Sequence, residues 1–306
     1  MLLKKHEFYR VNTAPVFTRT RIAPTPSGFL HLGNALSFAI TAALARKANA
    51  RILLRIDDLD RERVENAYVQ DIFDTLHFLE IPWDEGPKDI TEFEKEYSQL
   101  HRMNLYAEAL QQLQDNGDVF ACTCSRSQVL RDGPDGAYHG TCRDKNIPLD
   151  TKDASWRLRT TDAKELSVKT LQGSIIQTRL PASMQAFVVR KKDGFPAYQL
   201  SSVMDDLHYG VDLVVRGEDL WPSTLAQHYL AMILGQDAFL NTRFYHHPLL
   251  EEYSGKKLSK SAGATSIQHL RKQGQKPADI YAMMAQMAGM EAPAENWQRF
   301  SESILP

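Results

Sequence analysis

The hydrophobic pattern of the first hundred residues changes period several times. "VFTRTRIAP" ends in β-favouring residues and breaks at the Pro/Gly run "PTPSG", which predicts a strand and then a loop. "ALSFAITAALARKANA", rich in Ala and Leu, predicts a helix, and "RILLRIDD" is a short apolar run of the kind a buried strand carries. Strand, helix, strand at this spacing is a βαβ unit, which implies a parallel sheet. Helical periodicity returns at "VENAYVQDIFDTLHFLE", followed by the turn "IPWDEGP". It returns again at "YSQLHRMNLYAEALQQLQDNG", closed by Asn-Gly in a C-cap role.

From about Val119 to Asp150 the pattern dissolves into Cys, Gly, Pro and Asp. Strand-like pieces follow: "SWRLRT", "IIQTRL" and "QAFVVRKKDGFPAYQLS", the last with Lys-Asp-Gly as a hairpin turn. "VDLVVRGEDL" reads as a buried strand and "TLAQHYLAMILG" as a helix; beyond "GKKLSKSAGATS" the pattern is helical. The chain is expected to be an α/β protein, a parallel sheet interrupted by an insertion and ended by a short helical tail. The boundaries fall at 1–118 and 196–262 for the two halves of the sheet domain, 119–195 for the insertion and 263–306 for the tail.

Composition narrows the class. The 306 residues are 43% hydrophobic and 24% charged, ordinary for a soluble globular protein. No stretch has the length of a bilayer span and "MLLKKHEFYRVNT" lacks a signal-peptide core, so a cytoplasmic location is expected. A net charge of −2 argues against a nonspecific nucleic-acid binder while leaving room for a local basic surface. Arg190-Lys191-Lys192, Arg243 with His246 and His247, Lys256-Lys257-Lys260 and Arg271-Lys272 are such clusters; each taken singly reads as a solvated face. The three cysteines, Cys122, Cys124 and Cys142, are an odd number with no secretory signal and do not make a disulfide framework.

Two motifs carry chemistry. In "PTPSGFLHLGNA", Gly28 and Gly33 permit close approach of backbone to a ligand. A helix opening near Gly33 offers unpaired N–H groups and a positive dipole end, and His31 can donate to a phosphate oxygen. The bland reading is a proline-rich loop with an exposed histidine; a strand before it and a helix after it favour the phosphate site. In "GKKLSKS", Lys257 and Lys260 place two ammonium groups on a glycine-tethered loop, suited to charge developing on a triphosphate. The pair of motifs is far more specific than either alone.

"HLGN" and "KLSKS" resemble the HIGH and KMSKS signatures of class I aminoacyl-tRNA synthetases. "RIAPTPSGFLHLG", "LLRIDDLDRER", "VVRGEDL" and "KLSKS" resemble the glutamyl and glutaminyl branch, in that order, over roughly residues 18 to 265. The resemblance implies a Rossmann-like parallel sheet with a zinc-bearing insertion. Only 45 residues follow Ser261, short of the anticodon-binding region of full glutamyl-tRNA synthetases. With the cysteine cluster, this is similar to the glutamyl-Q tRNA(Asp) synthetases, the truncated paralogues of the branch. Those enzymes activate L-glutamate with ATP and Mg²⁺ and attach it to the queuosine base of tRNA(Asp); the expected state is a monomer.

What the resemblance implies for residues is carried over one by one. His31, Lys257 and Lys260 correspond to the catalytic positions, with His31, Gly33 and Lys260 on ATP. Arg21 corresponds to the arginine that meets the glutamate side-chain carboxylate, a bidentate task that suits a guanidinium. Ala23, Thr25, Asp57, Tyr198 and Arg216 correspond to further amino-acid contacts, and Arg216 can also pair with Glu218 or Asp219. Cys122, Cys124, Tyr138 and Cys142 correspond to a structural Zn²⁺ site. Ligand chemistry alone nominates His139 as the fourth ligand, since imidazole is the commoner donor; the family spacing points to Tyr138. Two features depart from the branch. Asp57 stands where glutamyl enzymes carry Glu, one methylene shorter, although glutaminyl enzymes also carry Asp there; and "KLSKS" keeps its final serine.

Competing readings are a truncated glutamyl-tRNA synthetase charging a tRNA 3′ end, a tRNA-independent nucleotidylyltransferase, and a silent regulator. The second usually shows H-x-G-H, and this chain has Asn34 at the last position. The third has no reason to keep His31 and both lysines.

Overall fold

The computed structural model describes residues 17–132, 137–250, 266–290 and 294–304. They form two compact units. The first holds the described residues within Met1–His101, Leu213–Glu218 and Tyr245–Pro306, and the second those within Arg102–Asp212 and Asp219–Phe244. Among the described residues no helix is long and apolar enough to cross a membrane.

The first unit opens with the expected βαβ element: β1 (Arg19–Ile22), α1 (Leu32–Ala48) and β2 (Arg51–Leu54). β1 and β2 run parallel in the register Arg19↔Arg51 to Ile22↔Leu54. β1 also pairs in parallel with the later strand β8 (Leu213–Gly217), to which Thr20 adds a side-chain bond at Leu213 O (2.9 Å). All five residues of β8 are buried, as a continuous apolar strand in a parallel sheet should be. α1 buries Ala35, Leu36, Phe38, Ala39, Ile40, Ala42 and Leu44, nearly all round its circumference, so it is a core helix and not an amphipathic surface one. Its C-cap, Asn49, takes the left-handed conformation (φ 53°) that closes a helix here.

The same unit continues with α2 (Asn66–Phe78) and a short turn α3 (Ile90–Glu92), and ends with α9 (Ile267–Lys272), α10 (Pro277–Met287) and α11 (Trp297–Ile304). α11 packs on α1. Gly86, in the predicted turn after α2, is required sterically: at φ +97° a Cβ there would sit 2.2 Å from Leu54 O.

The second unit begins with α4 (Met103–Asp115), whose end at Asn116 is followed by Gly117 at φ +72°, the role predicted for Asn-Gly. An antiparallel sheet of order β3-β4-β7 follows from β3 (Val119–Cys122), β4 (Ser155–Leu158) and β7 (Val188–Arg190). α5 (Arg126–Asp132) lies between β3 and β4 in sequence. β5 (Glu165–Thr170) and β6 (Ile175–Arg179) form an antiparallel hairpin, and β5 pairs in parallel with the first residues of β9 (Arg243–His247). Helices α6 (Tyr198–His208), α7 (Trp221–Ile233) and α8 (Asp237–Leu240) belong to the same unit. A buried Arg102 grips Asp205 through Nε (2.8 Å) and Nη2 (3.3 Å), and Tyr106 donates its hydroxyl to the same carboxylate at 2.7 Å, tying α4 to α6.

Two expectations are corrected. The hairpin expected in "QAFVVRKKDGFPAYQLS" is present, with its turn closed by the Gly194 amide on Lys191 O (3.1 Å) and its arms by the Lys191 amide on Phe195 O (2.8 Å) and the Ala197 amide on Val189 O (2.9 Å). The return arm, however, ends at Ala197, and Tyr198 opens a helix. Leu200, Val203 and Met204, at helical spacing, are the buried face that decides this. "RFYHH", read only as part of a basic cluster, is strand β9 with Phe244, Tyr245 and His247 buried.

Candidate functional site

In the first unit the predicted residues gather at the carboxyl ends of parallel strands, where α/β sheets bind ligands. Arg21 lies on β1, 6% exposed, and donates to Val215 O of β8 at 3.4 Å. Arg216, one residue along β8, is 4% exposed. Beyond β1, Ala23 and Thr25 follow in the loop; the Asp57 amide donates to Pro24 O (2.9 Å) and the Arg55 amide to Ile22 O (2.9 Å). These two bonds extend the sheet pairing past the strand ends and bring Asp57 beside the 23–25 loop. Arg55 holds the Asp57 carboxylate with Nε at 2.7 Å and Nη2 at 3.0 Å, and the ion pair is buried. The shorter side chain therefore has a fixed position.

His31 is the N-cap of α1, in extended conformation (φ −119°, ψ 173°). Its Nδ1 accepts the Gly33 amide at 3.1 Å, and its own amide donates to Asn34 Oδ1 at 3.1 Å, a reciprocal capping box. A neutral imidazole accepting at Nδ1 carries its proton on Nε2. The cap thus fixes the tautomer that can donate a hydrogen bond. Gly33 has a role beyond close backbone approach. A Cβ there would lie 3.1 Å from His31 Cε1 and 3.2 Å from Nδ1, so the glycine makes room for the ring. Asn34, weighed only as a departure from H-x-G-H, is the other half of the cap.

Lys257 and Lys260 lie outside the described residues. The chain on either side is anchored to the start of α1. His247 Nδ1 donates to Pro248 O at 2.8 Å, so its Nε2 accepts the Ser37 hydroxyl (2.6 Å). On the far side, Ile267 N–H donates to Leu30 O at 2.7 Å and Ser266 bridges His31. Sequence reading missed Asp71 and Arg271. Asp71, on α2 and fully buried, accepts the Leu30 amide at 3.0 Å and Arg271 Nη2 at 3.2 Å. Burial pushes its carboxyl above the usual range, against the opposing pull of the Leu30 amide and Arg271.

In the second unit, Tyr198 is the first residue of α6, 42% exposed. The cysteines form the other cluster: the sulfurs of Cys122, Cys124 and Cys142 lie within 4.8 Å of one another, Cys124 and Cys142 at 3.5 Å. The Tyr138 hydroxyl is 3.5 Å from Cys122 Sγ and accepts the Cys142 amide at 2.7 Å. Arg157 stacks over the Tyr138 ring at 3.9 Å. His139 is exposed, and it is not among the described groups whose ligand atoms converge there.

Tetrahedral zinc with thiolate bonds sets its sulfurs about 3.8 Å apart, so the donor set fits such an ion with only small shifts. Burial opposes charge on Cys142, yet hydrogen bonds from the Thr123 amide and from Cys124 and Tyr138 bring its thiol down to about 7. Burial and the bond to Cys142 push Cys124 up to about 12, and burial with the Cys122 contact pushes Tyr138 up. One negative charge is accommodated on Cys142, and burial resists charge on its neighbours.

The description "tRNA synthetases class I (E and Q), catalytic domain" matches residues 18–302. A Glutamyl-Q tRNA(Asp) synthetase of Deinococcus radiodurans is 35% identical over 274 residues, 87% of each chain. One from Pseudomonas aeruginosa is 36% identical over 296 residues, 94% of each chain. Among solved structures, a glutamate-tRNA synthetase from Elizabethkingia anophelis shares the fold (TM-score 0.71, 20% identity), covering 93% of this chain; the chain spans 65% of its length. With the motifs, the strand-end site and the capped histidine in place, the chain belongs to the class I tRNA synthetases of the E and Q branch, a family of ligases.

Proposed function

We propose that the protein activates L-glutamate with ATP as glutamyl-adenylate and transfers it to the queuosine base of tRNA(Asp). The observation that carries this reading is the near-complete mutual coverage, 94% of both chains, with a relative named for that activity. In the first step a glutamate carboxylate oxygen attacks the α-phosphorus of ATP, taken as its magnesium complex, and pyrophosphate leaves. No protein nucleophile is needed; the chain positions reactants and stabilises charge.

Arg21, at the end of β1, is assigned to the substrate side-chain carboxylate, with Arg216, Ala23 and Thr25 as further contacts; Tyr198, in the second unit, is assigned to the amino acid by its motif alone. Asp57, oriented by Arg55, is assigned to the ammonium group. His31 donates from Nε2 to a phosphate oxygen, and the first turn of α1, with Gly33, adds backbone donors and the helix dipole. Lys257 and Lys260 are assigned to the phosphates by their motif. A hydroxyl of the queuosine cyclopentenediol then attacks the mixed anhydride and AMP leaves. Cys122, Cys124, Cys142 and Tyr138 are assigned to a structural zinc ion, which supplies a cross-link where little apolar core is present.

Labelled glutamate and ATP, offered with tRNA from queuosine-making cells and from cells unable to make it, test the reading. Label on the first pool alone is expected. Equal label on both replaces it with 3′ charging, and no label on either removes glutamate as the substrate.

A further inference from the structure

The main chain of Leu30, immediately before His31, is held from two directions. Its N–H donates to Asp71 Oδ2 on α2 at 3.0 Å, and its C=O accepts the Ile267 amide, where α9 begins, at 2.7 Å. Arg271, one turn along α9, closes the circuit by donating to Asp71 Oδ1 at 3.2 Å and reaching Asp74 at 3.5 Å. Asp71 has no exposed side-chain surface and Arg271 has 20%. The two partners are 200 residues apart in sequence, so the pair joins segments that local structure does not bring together.

The segment that begins at Ser266 is also the one that follows residues 251–265, which contain Lys257 and Lys260. Ser266 bridges His31 and caps α9 by accepting the His269 amide at 3.1 Å. One carboxylate therefore fixes both the backbone that carries His31 and, through Arg271, the helix α9 that follows Ser266. A buried carboxylate is an expensive way to fill space, since removing charge from water costs more than an apolar residue of the same volume. It is directional, however, and accepts two donors at set angles. Phosphoryl chemistry that relies on placement loses rate when its groups shift by an ångström.

We propose that Asp71, with Arg271, is a positioning residue for the ATP phosphate site, holding the backbone that carries His31 in register with the start of α9. The proposal rests on the reading of His31 and Lys260 as phosphate-binding groups.

The test uses the full chain and two readouts: ATP affinity by titration calorimetry, and glutamate-dependent ATP–pyrophosphate exchange. Asp71→Asn and Arg271→Gln are each expected to weaken ATP binding and slow exchange about tenfold, with KM for glutamate unchanged. The double variant should lose no more than the worse single, because both act through one contact. Arg271→Lys should recover most of the loss. Unchanged ATP affinity in a folded Arg271→Gln or Asp71→Asn protein overturns the proposal. So does a loss shared equally by ATP and glutamate that tracks a lower melting temperature, the mark of a merely structural pair. Should Asp71→Asn not fold, the part-exposed Arg271 decides. Lys260→Ala separates the two readings: normal ATP affinity in that variant ends the phosphate assignment, while the calorimetry of the Asp71 variants still reads the mooring.

Discussion

The turn around His31 and the cluster around Cys122 are both short stretches to which much of the proposed chemistry is assigned, and they are organised in opposite ways. At His31 the protein supplies the partners itself. The Leu30 amide has Asp71, the His31 amide has Asn34, the Gly33 amide has the imidazole, and Leu30 O has Ile267. The geometry of the turn proposed to bind phosphate is set by the chain's own hydrogen bonds. At the cysteines the buried core is small, Phe120, Cys122, Tyr138, Cys142 and Ala186, and three of those five side chains are the donors assigned to metal. Their thiols and phenol lean on one another in weak contacts near 3.5 Å. The first region is closed by its own hydrogen bonds; the second has a donor set compatible with a cation.

The largest expected effect breaks the second region and spares the first. Chelation of metal, or Cys122→Ser, should lower stability by about 3 kcal/mol, roughly 10 °C in melting temperature. The loss should depend on pH in a set direction. Cys142, held near 7, supplies its thiolate at and above that pH, whereas Cys124 at about 12 and Tyr138 must each lose a proton to solvent when a metal binds. A folded-state pKa below the ordinary thiol value means that Cys142 contributes stability above that ordinary value and forfeits it as pH falls through about 7. Metal affinity should therefore climb steeply between pH 6 and 8, with protons released as the ion binds. A purified protein without metal, whose melting is indifferent to chelator across that range, would remove zinc from the account.

The next effect runs the other way. His31→Ala should slow ATP–pyrophosphate exchange about a hundredfold, through loss of a donor to developing phosphate charge. Its structural cost is confined to one cap bond, about 1 kcal/mol, so the melting temperature should move by only a few degrees. Exchange at the wild-type rate in a folded variant would exclude His31 from the phosphate site.

The contrast also explains what could be read without coordinates. The His31 turn was legible because its determinants are contiguous: Pro and Gly force the loop, and His-Leu-Gly-Asn sets the helix start within four residues. The three cysteines and Tyr138 were legible as a spacing, although ligand chemistry alone would have chosen the exposed His139. Burial, which put the phenol and not the imidazole beside the sulfurs, is a tertiary fact. Asp71 and Arg271 were not legible. Arg271-Lys272 looks like any solvated basic pair, and an aspartate inside "VENAYVQDIFDTLHFLE" looks like the polar face of a helix. Only the packing of α9 against α2 gives them to each other. The start of α6 was misread for a related reason: the alternation of "QAFVV" was carried past Pro196, where the burial period changes from two to helical.

The smallest effect sharpens the comparison most, because it separates preorganisation from stability. Gly33 is the second residue of α1, its φ is not in the left-handed region, and alanine is the better helix former there. On propensity alone, Gly33→Ala should leave stability unchanged or raise it by a few tenths of a kcal/mol. The new Cβ, however, would stand 3.1–3.2 Å from the His31 ring, which must then tilt by a few tenths of an ångström and loosen its bond to the residue-33 amide. Exchange should fall about threefold to tenfold while melting holds or rises, since the ring's placement and not the fold is what the glycine protects. If rate and melting temperature fall together, Gly33 serves the helix; if neither moves, the ring has slack and the cap does not set the position of the donor.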